Sequence, residues 1–146
     1  MLVAKWSERY SVNIEKMDGQ HKKLLDLMNS LDDAIHKGKD EAVVAALVTD
    51  LNDCVDEHFR EEEKLLERLN YPHLGAHKSQ HLHFLVQFHM MNSAYQAGHL
   101  ELVQIFVQYL KNWFVFHLFS EDRTYGAFVE SRSIHMGSRP AKAGGL

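Results

Sequence analysis

The chain has 146 residues, of which 45% are hydrophobic and 25% are charged, and its formal net charge at pH 7 is -4. This length fits one domain with a substantial core, and an acidic balance without a basic stripe argues against nucleic acid as a partner. No apolar run reaches the roughly 18 residues of a membrane span, and the single cysteine, Cys54, fits a reducing compartment, so we expect a cytoplasmic protein without a membrane partner.

An irregular arm over residues 1–17 precedes the first helical pattern, and its expected anchors are Trp6, Tyr10, Val12 and Ile14. Apolar residues then recur every three or four positions, which is the period of one helix face. This first stripe consists of His21, Leu24, Met28, Leu31 and Ile35. A first helix is therefore predicted, and it ends at Gly38, since glycine commonly follows a helix C-terminus.

Three more helices are predicted from the same periodicity. The second runs from about Asp40 to Leu69, where Pro72 prevents its continuation, and the third runs from about Leu74 to Ala97, where Gly98 ends it. The fourth continues to about Phe128. Their buried stripes include Leu51, Val55, His58, Glu62, Leu65 and Leu69 in the second helix, Leu74, His77, His81, Phe84, Phe88, Met91 and Tyr95 in the third, and Val103, Phe106, Leu110, Trp113 and His117 in the fourth.

Four helices of about 20–30 residues joined by short turns favour one architecture. We expect an all-α, up-down-up-down antiparallel four-helix bundle with an N-terminal arm, formed by residues 1–130. Residues 131–146, which are rich in Gly, Ser and Arg, are expected to form a flexible C-terminal tail.

Each of the four predicted stripes contains at least one histidine, and two stripes also contain a carboxylate. In an antiparallel bundle, two residues are level when the mean of their numbers falls at the turn that joins their helices. By this test one layer of the bundle contains His21, His58, Glu62, His77, His81, His117 and Asp122. A lone histidine on an apolar face is usually a core residue with a hydrogen-bond partner, but seven polar groups in one dry layer require a different explanation.

Burying a charge without a partner costs on the order of several kcal/mol, so a cation is expected among these groups. Seven ligands exceed the four of a structural zinc site. Two octahedral ions accommodate five imidazoles, two bridging carboxylates and a bridging oxygen, with one position left open. The residue types alone leave the metal undecided among iron, copper, nickel and zinc.

The other charged residues of the second helix have a simpler interpretation. They are expected to form a solvated face with charge pairs four residues apart. This face consists of Glu57, Arg60, Glu61, Glu63, Lys64, Glu67 and Arg68.

The seven positions resemble the ligand set of hemerythrins, the non-heme di-iron oxygen-binding family, and in particular its bacterial members. The similar stretches are MDGQHKKL around His21, HFREEE around His58 and Glu62, YPHLGAHKSQH around His77 and His81, and WFVFHLFSED around His117 and Asp122. The resemblance extends over roughly residues 5–128.

The resemblance implies two iron ions with a bridging oxo or hydroxo group. His77, His81 and His117 would bind one ion, His21 and His58 the other, and Glu62 and Asp122 would bridge them. Dioxygen would bind at the open position of the two-histidine iron. The oxygen pocket would then be formed by Phe59, Trp113, Phe114 and Leu118.

Reversible dioxygen binding for storage, transport or sensing is therefore the leading hypothesis, and it implies no enzymatic activity. The alternative is a di-iron redox enzyme with peroxidase, nitric-oxide or oxygen-reducing activity at the same site. A signalling role would need a separate output partner, and the residues identify no protein partner.

Overall fold

The predicted helices are all present in the computed structural model, which describes residues 4–135. Helix α1 spans Glu15–His36, α2 spans Glu41–Arg68, α3 spans Leu74–Gln96 and α4 spans Leu100–His117. α4 continues through a π-helical turn, Leu118–Asp122, into α5, Arg123–His135. α1 packs against α2 and α4, and α3 packs against α4 and α2. The all-α four-helix bundle is confirmed, with α4, the π turn and α5 forming the fourth rod.

Two glycines end bundle helices in the way that the sequence predicts. Gly38 has φ +63° and Gly98 has φ +79°, in the left-handed region that side chains with a Cβ rarely adopt. After each glycine the backbone N–H of the next residue reaches back to a helix carbonyl, from Lys39 to Ala34 and from His99 to Ala94, both at 2.9 Å. These bonds satisfy carbonyls that the helix end would otherwise leave free, so the chain can reverse direction within a few residues.

The N-terminal arm contains a short 3-10 turn, Glu8–Tyr10, which packs against the π turn of the fourth rod. Val12 is fully buried, and its backbone N–H donates to the Asp18 carboxylate at 2.9 Å. The Ser11 hydroxyl donates to the same carboxylate at 2.6 Å. On α5, Gly126 lies so close that a Cβ there would be 2.8 Å from the Cα of Val12. Glycine is thus the residue that lets the arm and α5 meet.

The remaining expected anchors of the arm also pack on the bundle. Trp6 and Tyr10 are partly buried against the main core, and Ile14 is partly buried against a smaller cluster that includes Val12 and Tyr125. The main core lies along the length of α1 to α4. A layer of polar residues is buried in contact with both clusters, since His81 packs on Phe59 of the first and His77 on Tyr125 of the second.

A buried ion pair joins α1 to α4 inside the main core. Lys111 Nζ donates to Asp32 Oδ2 at 2.6 Å, and both side chains are almost completely buried. An isolated buried charge would cost on the order of several kcal/mol, so each charge of the pair depends on its partner. The pair therefore favours one register between the two helices.

The C-terminal boundary differs from the expectation. α5 extends to His135, so the first five residues of the segment predicted as a tail are helical. The rest of that segment, residues 136–146, lies outside the described residues. Within residues 4–135, each helix falls short of the length or the apolar content that crossing a bilayer would require.

Gly126→Ala should destabilise the protein, because the added methyl group must displace the backbone of the arm at Val12. Overpacking of this kind costs about 1–3 kcal/mol in the free energy of unfolding. Gly75→Ala is the matched control, since a Cβ at Gly75 meets nothing within 4 Å. Urea unfolding followed by circular dichroism measures both variants. Equal stabilities would show that the arm does not need the close approach.

Candidate metal centre

Seven polar side chains form a single buried layer across the bundle, and every rod contributes to it. His21 lies on α1, His58 and Glu62 on α2, His77 and His81 on α3, and His117 and Asp122 on the fourth rod. Each of the seven has a relative exposure of 1% or less. The structure therefore brings together all seven residues that the sequence placed in one layer.

Local helix geometry explains how three of the four rods each direct a pair of candidate ligands into the layer. His58 and Glu62 on α2, and His77 and His81 on α3, are four residues apart, so they lie on one face of an α-helix. His117 and Asp122 are five residues apart. In a regular α-helix, side chains at this spacing point in directions that differ by well over a quarter turn. The π turn over Leu118–Asp122 widens the helix by one residue and places the two on the same face. The bulge is thus what makes Asp122 part of the layer.

The carboxylate of Glu62 lies between two groups of imidazoles. Its Oε1 lies 2.8 Å from His77 Nε2 and 3.0 Å from His81 Nε2. Its Oε2 lies 3.0 Å from His21 Nε2 and 3.3 Å from His58 Nε2. One oxygen therefore faces α3 and the other faces α1 and α2.

Asp122 divides the imidazoles in the same way. Its Oδ1 lies 3.0 Å from His117 Nε2 and 3.2 Å from His77 Nε2, and its Oδ2 lies 3.2 Å from His21 Nε2. Both carboxylates thus present one oxygen to a three-histidine group and the other to a two-histidine group. A carboxylate that spans two such groups has the arrangement of a bridging ligand.

Two overlapping ligand sets follow from these distances. One set consists of Glu62, His77, His81, His117 and Asp122, and the other consists of His21, His58, Glu62 and Asp122; in each set the donor atoms lie within 4.8 Å of one another. The second set has one imidazole fewer than the first.

Several nitrogen and oxygen atoms in the layer are fully buried and make no hydrogen bond of acceptable geometry, although some lie within 3.3 Å of an oppositely charged group. They include His58 Nε2, His81 Nε2, His117 Nε2 and both carboxylate oxygens of Asp122. Buried polar atoms are rarely left without a partner, because each one costs about 1–3 kcal/mol. Their lone pairs converge on the space between the helices, and imidazole with carboxylate is a donor set for transition metals. The residues therefore fit a pair of metal ions.

The imidazoles around the two carboxylates lower the pKa values of both. Burial alone would raise the pKa of Glu62, but the surrounding imidazoles, led by His58 and His21, outweigh burial and hold that pKa well below its usual value. Burial likewise opposes ionisation of Asp122, and His117 and His77 lower its pKa despite this. Both carboxylates are consequently anionic in the folded protein.

The imidazoles respond in opposite directions according to their neighbours. Burial would lower the pKa of His77, but the carboxylates of Asp122 and Glu62 outweigh burial and raise it to about 10. At His58 burial dominates and the pKa is lowered. In the metal-free protein, protons on some imidazoles therefore compensate the two carboxylates.

Two of the candidate ligand histidines are oriented by hydrogen bonds from their outer ring nitrogens. His58 Nδ1 donates to Gln20 Oε1 at 2.6 Å, and His81 Nδ1 donates to Glu63 Oε2 at 2.7 Å. A proton on Nδ1 leaves Nε2 free to coordinate, which is the usual arrangement around metal-bound histidine. Glu63 also adds a negative charge behind His81, so the ring becomes a stronger donor.

The prediction that Glu61 and Glu63 belong only to a solvated face was therefore wrong. Glu63 contacts a ligand histidine directly, and Glu61 accepts hydrogen bonds from Gln20 and, at 2.7 Å, from Lys16. The helical period placed both side chains off the buried stripe. At the border between a buried and an exposed face, however, long carboxylate side chains reach neighbouring helices.

Tyr125 is another residue that the analysis of the sequence did not identify. It is fully buried, and its hydroxyl donates to Glu62 Oε2 at 2.8 Å. Burial is the main reason that its pKa is raised well above the usual value, and the nearby carboxylates add to the effect, so the phenol is neutral and can donate. The available signal was its position three residues after Asp122, which places it on the same helix face.

Apolar and aromatic side chains enclose the layer. Phe59 stacks on His81 with ring centroids 3.8 Å apart, and Trp113 stacks on His117 at 4.7 Å. Phe114 makes an edge contact with His21 at 5.9 Å, and Leu118 is fully buried. Phe114 thus reaches the two-histidine group, and Trp113 lies against the three-histidine group. Phe59 contacts both groups, because its ring also lies 5.8 Å from that of His58.

The fold and the layer define a class of protein: a four-helix bundle with two adjacent groups of histidine and carboxylate residues that could each hold a metal ion. A family model described as the hemerythrin HHE cation binding domain matches residues 12–129. The chain belongs to the hemerythrin family.

Individual relatives agree with this membership. The chain is 30% identical over 120 residues to bacteriohemerythrin from Pseudomonas aeruginosa, covering 82% of this chain and 77% of the relative. It is 26% identical to bacteriohemerythrin from Stenotrophomonas maltophilia, covering 99% of this chain and 93% of the relative. A crystal structure of a hemerythrin variant with a leucine-to-tyrosine substitution is similar at a TM-score of 0.78 and 26% identity, covering 87% of this chain and 97% of the other.

The stability of the metal-free protein should fall as pH rises above 6.5. A raised pKa at His77 stabilises the fold below the unfolded pKa of 6.5, and this stabilisation is lost as pH approaches about 10. The metal-bound form needs unprotonated imidazoles, so its binding strengthens over the same range. Thermal melts of chelator-treated and anaerobically iron-loaded protein from pH 6.5 to pH 9 test this. A metal-free melting temperature that holds steady or rises would contradict it.

Glu63→Ala should weaken metal binding about 10–100-fold, the usual loss when a residue that orients a ligand is removed. Glu67→Ala is the matched control, because Glu67 lies one turn further along α2 and is exposed. Titration of each metal-free variant with ferrous iron, against a competing chelator and without oxygen, gives the affinities. Equal affinities of the two variants would show that the contact with His81 has no effect on the site.

Proposed function

We propose that this protein binds dioxygen reversibly at a non-heme di-iron centre, in oxygen storage, transport or sensing. The observation that carries the proposal is the unequal division of five imidazoles by two spanning carboxylates. His77, His81 and His117 would hold one iron, and His21 and His58 would hold the other. Glu62 and Asp122 would bridge the pair together with an oxo or hydroxo group. When bound, the two irons would supply the electrons that let dioxygen bind as a ligand.

The two-histidine group has one imidazole fewer than the three-histidine group, and this difference supports an open coordination position there. The two sets of donor residues differ by one histidine, so ions of equal coordination number would leave the two-histidine position short of one protein ligand. Phe114 contacts His21 there, and Leu118 is buried within the adjoining core. These side chains would give an incoming small ligand an apolar environment.

Exclusion of water is the second requirement for reversible binding, and the chain's own residues provide it. The seven ligand residues are buried, and the rings of Phe59 and Phe114 pack against them. Apolar walls limit the access of water and protons to a reactive centre. Phe59, Trp113, Phe114 and Leu118 are proposed to form this wall, with Trp113, which is partly exposed, on its outer side.

Tyr125 adds a neutral hydrogen-bond donor to the bridging position. Its hydroxyl donates to Glu62 Oε2, the oxygen that faces the two-histidine group. This bond holds Glu62 in the orientation that spans both groups. It also withdraws electron density from that oxygen, which would weaken its bond to the two-histidine iron.

The purified protein is expected to contain two irons per chain and to show an absorption band that appears in air and disappears when oxygen is removed. Metal analysis and optical spectra of the reduced protein, taken before and after both steps, measure this. Glu62→Ala should lose the band because it removes a bridge, whereas Glu67→Ala should keep it.

Other outcomes separate the alternatives. Irreversible loss of the band together with turnover of an added reductant would indicate a di-iron redox enzyme at the same residues. One metal equivalent per chain, or none after anaerobic iron loading, would contradict the di-iron centre itself.

A further inference from the structure

The outer surface of α3 and α4 carries an apolar face that the described residues leave exposed to solvent. We call this surface the α3–α4 face, and it is formed by Leu82, Val86, Met90, Leu102, Ile105 and Tyr109. Each of these side chains is between 43% and 65% exposed. Isolated exposed apolar residues are ordinary, but a contiguous group of this kind marks an interaction surface.

The spacing of these residues shows a second seam on α4. The inward stripe of α4 includes Val103, Val107, Leu110 and Phe114, all buried. A separate outward stripe has alternating steps of three and four, and all of its residues are exposed. It is formed by the apolar residues Leu102, Ile105, Tyr109 and Phe116, with the polar Asn112 between the last two. A helix with apolar stripes on both sides packs against partners on both sides. The inward stripe is packed against other helices of the chain, whereas the outward stripe is exposed.

Charge is depleted from the same region of the sequence. Glu101 is the one charged residue between Leu82 and Leu110. The outward faces of α1 and α2 contain many charged residues instead, among them Lys16, Asp56 and Arg60. Depletion of charge together with methionine and aromatic residues is typical of the centre of protein interfaces.

The face also combines projecting and recessed parts. Ile105 and Phe116 project into solvent, with exposures of 65% and 70%. Near the α3–α4 turn, the small residues Ser93 and Ala97 line a groove between the helices together with Met90 and Leu102. Large side chains from an apposed helix pair could fill such a groove, in the way that knobs fill holes between packed helices.

We propose that the α3–α4 face is the interface of a twofold-symmetric dimer of this chain. A twofold interface brings a surface against its own copy, and a surface nearly free of charge meets its copy without like-charge repulsion. The six side chains together with Phe116 expose on the order of 600 Å², if each would offer about 150–200 Å² when fully exposed. A standard interface buries about 800 Å² per partner. The neighbouring groove residues would supply the remainder.

The metal layer does not depend on this dimer. The interface is formed by the outward side of α3 and α4, whereas the ligands His77, His81 and His117 point inward. Failure of the dimer would therefore leave the proposed oxygen chemistry standing, and failure of that chemistry would leave the dimer standing.

Sedimentation equilibrium of the full-length protein, from micromolar to near-millimolar concentration, tests the proposal. The wild type should sediment as a dimer that dissociates on dilution. Met90→Glu and Ile105→Glu should each raise the dissociation constant about 100-fold or more, because each buries an unpaired charge in the interface. Val43→Glu is the matched control, since Val43 on α2 is a similarly exposed apolar residue, at 44%, on another face, and it should not change the dissociation constant.

Circular dichroism and iron content should be the same in all four proteins, which shows that the substitutions leave the bundle folded. A wild type that is monomeric throughout the concentration range would overturn the proposal, including the case in which a different protein occupies the face. It would also be overturned if Met90→Glu and Ile105→Glu remained dimeric, or if Val43→Glu dissociated the dimer as strongly as they do.

Discussion

The burial of two carboxylates, Glu62 and Asp122, among five imidazoles is the constraint on which the rest of the structure depends. Each carboxylate is fully buried, and an isolated buried anion would cost on the order of several kcal/mol. The imidazoles compensate this charge either by carrying protons or by coordinating a metal ion between themselves and the carboxylates. Because the five histidines come from all four rods, the bundle can satisfy its anions only when all four rods are correctly aligned. Formation of the site therefore requires the packed bundle.

The surroundings of the layer then determine how its ligands are held. Gln20 and Glu63 accept hydrogen bonds from the outer nitrogens of His58 and His81, and Tyr125 donates to Glu62. These contacts limit rotation of the side chains and select the nitrogen that faces inward. Stacked aromatic rings occupy the remaining space and keep water away. In the proposed di-iron centre, metal affinity would thus depend on residues beyond the seven that face the centre.

The two halves of the bundle surface have different characters. α1 and α2 present charged side chains that water solvates, whereas α3 and α4 present an apolar face with little charge. Both halves contribute ligands to the same inner layer, so the asymmetry does not arise from the site. It is explained by a second requirement on α3 and α4, namely contact with another copy of the chain. One helix pair would then serve the metal centre on its inner side and assembly on its outer side.

The helices, their order and the layer that contains all seven polar residues can be predicted from the sequence, because a buried stripe repeats every three to four residues and the turns set the level of each stripe. Other details depend on how the helices pack against one another and are not encoded in this periodicity. The π turn that aligns Asp122 with His117 changes the period locally. The contacts of Glu61, Glu63 and Tyr125 depend on which neighbouring helix a side chain reaches, and the close approach of Gly126 to Val12 depends on the docking of the arm. A one-dimensional pattern specifies which face of a helix is buried, but only the packed helices specify which atoms meet across that face.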